Sequence, residues 1–433
     1  MTPLPPLLTS QVQEDQLLTM IERLDAWLLA HDFAGVDPYD ALNSPLAPIL
    51  TLNSKVGRIA LTQILRRAPI NLRPFLFIRP GVNPKALGLA LEAYCALAKV
   101  ASKELNDDGQ KSVSYEGARA RADLLVARLL QLQAPTSSGA AWGYNFPWQN
   151  RYQLLPRYTP TLVNTSFISH ALLDYADLTS LAPQNQSRTA LAQKARNAAY
   201  SSARFILHDL RRDTPTQSCG VLLSYTPLDD NFVYNANFLG ASLLARILSA
   251  DCQAVLTYEE REEARTLVNA ILVSCMTAQN SDGSWRYGRR AQQSWIDSFH
   301  TGFNLESLRR LQSYGFAESY RDAYALAERF YAENFFDSNG APWYYAQRPY
   351  LYDVHAPMEA LYFFSRYAPK RQELIDRIFA WTRQNLYDSK HGYFYFRKTR
   401  FYTIKIPYLR WSQSWALRAL CQVYATRATV SGK

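Results

Sequence analysis

The chain of 433 residues is 48% hydrophobic, 13% aromatic and 19% charged, which excludes a disordered chain or a long coiled coil and supports a substantial packed core. Lysine plus arginine outnumber aspartate plus glutamate by 47 to 37, for a formal charge of +10, yet no lysine tract, zinc-finger spacing or single-stranded nucleic-acid motif accompanies the excess. The excess fits an anionic partner other than nucleic acid, with plain solubility the stronger account of the charge by itself, and a length that ordinarily divides into two or more domains has to be tested against one large architecture.

The first predicted element is a helix from Gln11 to Leu29, with Leu17, Ile21, Leu24 and Leu28 at helical spacing. DFAGVDPYDALNSPL follows as a structured loop in which Asp37 and Asn43 are available for local hydrogen bonds. NPKALGLALEAYCALAKV, from Asn83 to Val100, is apolar around most of a helix, and the helix after it, about Ser114 to Leu132, has a wetter face. The alternation recurs. VNTSFISHALLDYADL precedes a polar helix around Thr189 to Leu210, YNANFLGASLLARI one around Glu259 to Thr277, and FHTGFNLESLRRLQ one around Glu318 to Glu333. VHAPMEALYFFSRY precedes one around Gln372 to Asn385, and LRWSQSWALRALCQVYA closes the series.

Six apolar helices are thus predicted to begin near Pro84, Thr165, Ala236, Thr301, Ala356 and Ser412. Set as an inner ring inside the more charged helices, they predict an all-α fold, an (α/α)6 toroid or barrel of helical hairpins, occupying residues 1–433 as one domain with an N-terminal edge segment of about 1–50. An open solenoid uses the same pattern and is the alternative to closure. DGSW, NGAP and HGYF are expected to form turns.

The loops leading into the apolar helices interleave Trp and Tyr with Asn, Asp and Arg, which combines stacking faces with directional polar groups and points to carbohydrate. Candidate acid/base groups are the adjacent Asp229 and Asp230 with Tyr225 beside them, and two recurrences at helix starts, Asp297 with His300 and Asp353 with His355 and Glu359. In each recurrence the aspartate is placed to orient an imidazole that moves a proton. Candidate substrate contacts are Trp142, Tyr144, Trp148, Trp285, Trp343 and Trp411 for stacking, Asn164 for hydrogen bonding, and Arg151, Arg286, Arg348 and Arg410 for the carboxylates of an acidic sugar, with Arg157 and Arg397 also available. His170 and His208 lie in apolar-rich helices and are read as packing or helix-end residues. No metal-ligand spacing and no nucleotide loop occurs in the sequence, so no cofactor is expected.

The pattern resembles the six-hairpin toroids of carbohydrate-active enzymes, including glycosidases, polysaccharide lyases and uronate C5-epimerases, and more distantly the terpenoid cyclases, whose acidic motifs LDDNF does not reproduce. DPYDALNS around Asp37, WGYNFPWQ from Trp142, HTGFNLESL from His300 and YLRWSQSWALRAL from Tyr408 are similar to features of toroid proteins associated with bacterial polysaccharide biosynthesis. The resemblance implies a glycan context. The expected function is action on an acidic poly- or oligosaccharide as a uronate epimerase or polysaccharide lyase, with a glycoside hydrolase and a noncatalytic glycan-binding or polysaccharide-assembly protein as alternatives, and a helical interaction scaffold behind them. Expected partners are an acidic carbohydrate and polysaccharide-assembly proteins. Cys95, Cys219, Cys252, Cys275 and Cys421 are widely spaced and odd in number, and the start lacks a secretory pattern, so a cytoplasmic protein with no integral membrane segment is expected, with a peripheral place beside a membrane assembly as the variant.

Overall fold

A helix that is apolar nearly all round has to be covered on every side, and a closed ring of such helices inside a second ring satisfies that demand. The structure, a computed structural model, describes residues 10–104, 115–135, 137–180, 185–214 and 220–431. In chain order the ring helices are α1 (Ser10–Ala30), α2 (Pro84–Glu104), α3 (Tyr115–Gln131), α4 (Leu162–Ser180), α5 (Gln186–Arg204), α6 (Tyr234–Leu248), α7 (Tyr258–Thr277), α8 (Ser298–Ser313), α9 (Arg321–Asn334), α10 (His355–Tyr367), α11 (Gln372–Leu386) and α12 (Ser414–Ser431). The even-numbered helices pack one against the next, and α12 packs back on α2. The fold is a closed (α/α)6 toroid.

The sequence places α1 at an edge; it packs instead on α12, so the first helix supplies the outer partner of the last inner one and the two ends of the ring meet. The inner helices start within a few residues of the expected positions. Before α12, Leu409–Gln413 form a π turn, and both Arg410 and Trp411 in it are buried. Gly283 and Gly340, at φ of +94° and +80°, build the turns expected at DGSW and NGAP, a backbone region that L side chains rarely adopt. Strands are short and confined to loops. The largest sheet pairs Leu351–Asp353 with Arg397–Thr399 and then Thr403–Ile404, all antiparallel, and sets Arg397 opposite Asp353.

One continuous apolar cluster fills the space between the rings. Inside the inner ring the chemistry changes. The fully buried Arg418 of α12 donates to Glu92 at 2.7 Å, to Glu306 at 2.7 Å and to Glu359 at 3.2 Å, and lies 3.3 Å from the centre of the Tyr362 ring. Arg310 adds a second guanidinium, 2.6 Å from Glu306. Two cations thus face three carboxyls. Burial, Glu306 and Glu92 together push Glu359 well above the carboxylate range against the pull of Arg418, so Glu359 keeps its proton and the cluster balances. Gly302 permits this approach, because a Cβ there would sit 2.5 Å from Cγ of Glu359. Four cysteines, Cys95, Cys252, Cys275 and Cys421, are free and buried; Cys219 lies outside the described residues.

Between α1 and α2 the chain makes a cap that the sequence reading did not resolve beyond its first loop. It contains a helix at Lys55–Arg67, whose N-cap Ser54 accepts from Gly57 N. The cap is tied to the ring by buried ions. Arg410 makes a two-pronged pair with Asp37, at 2.7 and 2.8 Å, and Arg73 donates to Asp40, to the Asp37 carbonyl and to the Tyr408 hydroxyl. The cap helix reaches the loop before α4 through Arg58, which donates to Gln149 at 2.8 Å, while the Arg66 guanidinium stands 5.0 Å from the Tyr39 ring centre and 6.0 Å from that of Trp411.

Candidate active site

The first turns of the inner helices and the loops before them converge under the cap. Asp297 is the N-cap of α8, where a carboxylate satisfies a free backbone N–H; it accepts from His300 N at 3.0 Å. Its other oxygen accepts from Nδ1 of the His300 ring at 2.6 Å and from Trp295 Nε1 at 3.0 Å. One buried aspartate therefore starts the helix and orients the imidazole. Nε2 of His300 makes no hydrogen bond to a described residue, and the half-buried ring lies 4.6 Å from Tyr287 and 4.2 Å from Phe299.

His355 opens α10 and shares the Phe299 ring, at 4.5 Å. Trp411 and Trp415 flank it at 4.7 and 4.4 Å, and neither ring nitrogen has a hydrogen-bond partner among the described residues. Burial, and then the positive charge of Lys85, Arg410, His300 and Arg418, holds this imidazole well below the ordinary histidine range, so it is neutral. The expected partnership of Asp353 with this imidazole does not form. Asp353 accepts instead from the main-chain N of His355, from Arg397 and from Trp411 Nε1, which makes it the brace of this corner rather than a base.

Lys85, in the first turn of α2, completes the group and was missed from the sequence. It is 3% exposed, its Nζ stands 4.3 Å from the Phe167 ring centre, 5.6 Å from Phe303 and 5.5 Å from Trp415, and it forms no ion pair with a described carboxylate. Burial, reinforced by Arg410 and Arg418, holds the amine well below the ordinary lysine range. The Phe303 ring is a common neighbour of all three basic groups: His300 and His355 each lie 5.8 Å from its centre. Asn164, fully buried in the first turn of α4, likewise leaves both amide atoms without a partner among described residues. The clue available in the sequence is position: Lys85 and Asn164 occupy the same first-turn level as His300 and His355.

The remaining candidates divide by location. Tyr144, Tyr225 and Trp148 form part of an aromatic rim, with the two hydroxyls 3.2 Å apart, and burial pushes both phenols upward so that they stay protonated. Trp411 and Arg410 belong to the floor of that rim, although Arg410 already holds Asp37. Glu359 belongs to the ionic cluster. Asp229 locks its own loop by accepting from Thr226 Oγ1 and from the main chain of Tyr225 and Asn231, and Asp230 is exposed and paired with Arg211, so the adjacent acids do not form a catalytic pair. Trp142 and Trp285 are packing residues whose indole N–H groups donate to the carbonyls of Leu129 and Cys275. Trp343 is half-buried against the core, and Arg151, Arg286 and Arg348 are exposed. Arg157 donates to Asn43 at the cap margin, and Arg397 is taken by Asp353. His170 is a packing residue, 3.3 Å from Ser242, whereas His208 is partly exposed beside Glu260. Two surface clefts, of about 500 and 830 Å³, lie elsewhere and include none of the three central basic groups.

No protein-family model and no curated protein matches the sequence. Solved structures do match the fold. Cellobiose 2-epimerase from Bacillus thermoamylovorans B4167 is similar at a TM-score of 0.54 and 13% identity, over 80% of this chain and 88% of that one. A sugar epimerase from a ruminal bacterium gives 0.52 and 12%, over 80% and 88%. Unsaturated glucuronyl hydrolase from Bacillus sp. GL1 gives 0.52 and 11%, over 94% of this chain and 95% of that one. These likenesses establish the toroid. No described helix is long and apolar enough to cross a membrane.

Proposed function

We propose that the chain is a carbohydrate-active enzyme that moves a proton at a carbon next to a carbonyl or carboxyl group of a sugar, as an epimerase does. The observation that carries this reading is the pair of imidazoles with unfilled ring nitrogens, His300 and His355, set around the Phe299 ring beside a lysine that has no carboxylate partner. That two solved structures of similar fold are sugar epimerases supports it.

The neutral state of His355 and the hydrogen bonding of His300 assign the roles. His355, kept neutral, accepts the C–H proton; the bond's electron pair passes to the adjacent carbonyl or carboxyl oxygen as an enolate. Lys85 lies where it stabilises that negative charge. His300, whose ring Asp297 orients through Nδ1 and whose Nε2 is left open, returns a proton to carbon, and the roles exchange in the reverse direction. An acidic sugar suits the site because its carboxylate would supply the partner that Lys85 lacks among the described residues and so favour the protonated amine. Hydrolysis fits less well: it needs two opposed carboxyls, whereas Asp353, Asp229, Asp230 and Glu359 are each engaged by other groups.

Incubation with uronate-containing oligosaccharides and with reducing disaccharides in deuterated water tests the reading. The expected product retains its chain length and carries deuterium at the exchanged carbon. Unsaturated, shortened products would assign a lyase instead, and binding without exchange across the panel would make the chain a glycan-binding protein.

A further inference from the structure

The cap helix is amphipathic in the wrong sense for a helix lying on a protein. Thr62 and Leu65 are buried and Arg58 and Arg66 reach toward the ring, while Val56, Ala60 and Ile64, at successive i, i+4 positions, face outward with Lys55 and Arg67 beside them. The turns on either side also expose large apolar side chains. Leu52 is 85% exposed, Phe75 76% and Phe77 67%, and Ile49 is exposed as well. Leu52 and Phe77 hold positive φ, +48° and +55°, a conformation in which a bulky side chain is strained and glycine would be at ease. Exposed large apolar side chains concentrated in one short segment mark an interaction surface, since scattered ones need no explanation.

The charge pattern identifies what covers it. From Ala41 to Leu91 the sequence contains no aspartate or glutamate, and the exposed charged residues around the apolar face, Lys55, Arg67 and Arg79, are all basic. Apolar side chains that protrude among unopposed cations suit a surface with negative headgroups above hydrocarbon. We propose that the outer face of residues 46–79 is an interfacial docking surface for an anionic lipid bilayer. Phe75, Phe77, Leu52 and Val56 insert at the level of the headgroups, Lys55, Arg67 and Arg79 meet the phosphates, and the toroid mouth lies on the protein side of the same cap.

Cosedimentation of the full chain with vesicles of phosphatidylcholine, with and without phosphatidylglycerol, tests this. Binding is expected to the mixed vesicles, weaker by on the order of 100-fold to phosphatidylcholine alone, and reduced by high salt. Phe77→Gly combined with Phe75→Ser is expected to abolish binding while the melting temperature stays at or above that of the parent chain, because Phe77→Gly relieves the strained backbone. Lys55→Glu with Arg67→Glu should abolish it as well. Failure to sediment with the mixed vesicles overturns the proposal, as does binding that survives the phenylalanine variants. A dimer in sedimentation velocity that those variants dissociate would assign the face to a second copy of the chain and overturn it equally.

Discussion

Lys85 is an amine placed where a charge is costly, among aromatic rings and without a carboxylate. Its folded-state pKa lies below the unfolded value, so the neutral form is favoured by the fold and stability is lost as pH falls below about 10.4, down to the folded pKa. Lys85→Met should therefore raise stability at pH 7 by on the order of 1–3 kcal/mol, with an advantage that shrinks above about pH 10. Turnover in the epimerisation assay should fall about 100-fold or more in the same variant. Denaturant unfolding at several pH values, set beside rates, checks both halves; a variant that is neither more stable nor slower would remove Lys85 from the site. Asp297→Asn is a separate test. It keeps a side chain able to cap α8 but weakens the hydrogen bond that orients the His300 ring, so the fold should survive, losing on the order of 1 kcal/mol, while kcat falls and KM changes little. For Asp353→Ala the expectation reverses: its contacts to Arg397, Trp411 and the α10 backbone make loss of stability the primary effect.

At the scale of elements, the inner helices were legible because apolar residues surround them, and the outer ones because their spacing keeps one wet face. The cap helix was not legible, since its apolar stripe at Val56, Ala60 and Ile64 faces outward and periodicity alone cannot say which face is covered. The site divides on the same physics. Asp297 and His300 show themselves by N-cap spacing, whereas Lys85 reads as a solvated first-turn lysine until closure of the ring makes that turn interior. Asp353 and His355 have the same look in sequence, and only the pairing of Arg397 opposite Asp353 diverts the carboxylate. The buried cluster joining α2, α8, α10 and α12 makes a prediction at this level. Arg418→Met leaves Glu92 and Glu306 facing each other with Arg310 alone, and should cost about 3–5 kcal/mol. Glu359→Gln should change stability by less than about 1 kcal/mol, because that carboxyl already carries a proton. Urea unfolding of the two variants compares them directly.

For the molecule as a whole, the cap links the two proposals, since its inner face closes the toroid mouth and its outer face carries the apolar patch. His355 is only 2% exposed, and we take the cap as the element whose motion would admit a sugar; the buried Arg410–Asp37 pair and the Arg73–Tyr408 hydrogen bond tie it to the ring. Asp37→Asn leaves Arg410 buried without a carboxylate, which should loosen the cap by about 3–5 kcal/mol while the ring keeps its own core. Asp40 adds a pH dependence. Burial raises its carboxyl from 3.8 to about 6 against the pull of Arg73, so its contribution to cap stability is fully present below about pH 4 and is lost as pH rises through 6. Amide hydrogen exchange, corrected for its intrinsic pH dependence, should show residues 34–82 better protected at pH 5 than at pH 7 in the parent chain. In Asp40→Asn that difference should vanish, and in Asp37→Asn the same residues should exchange faster at both pH values while α4 and α6 remain unchanged. Equal loss of protection in cap and ring would mean that the two unfold as one unit, and the mouth would then have to open by another route.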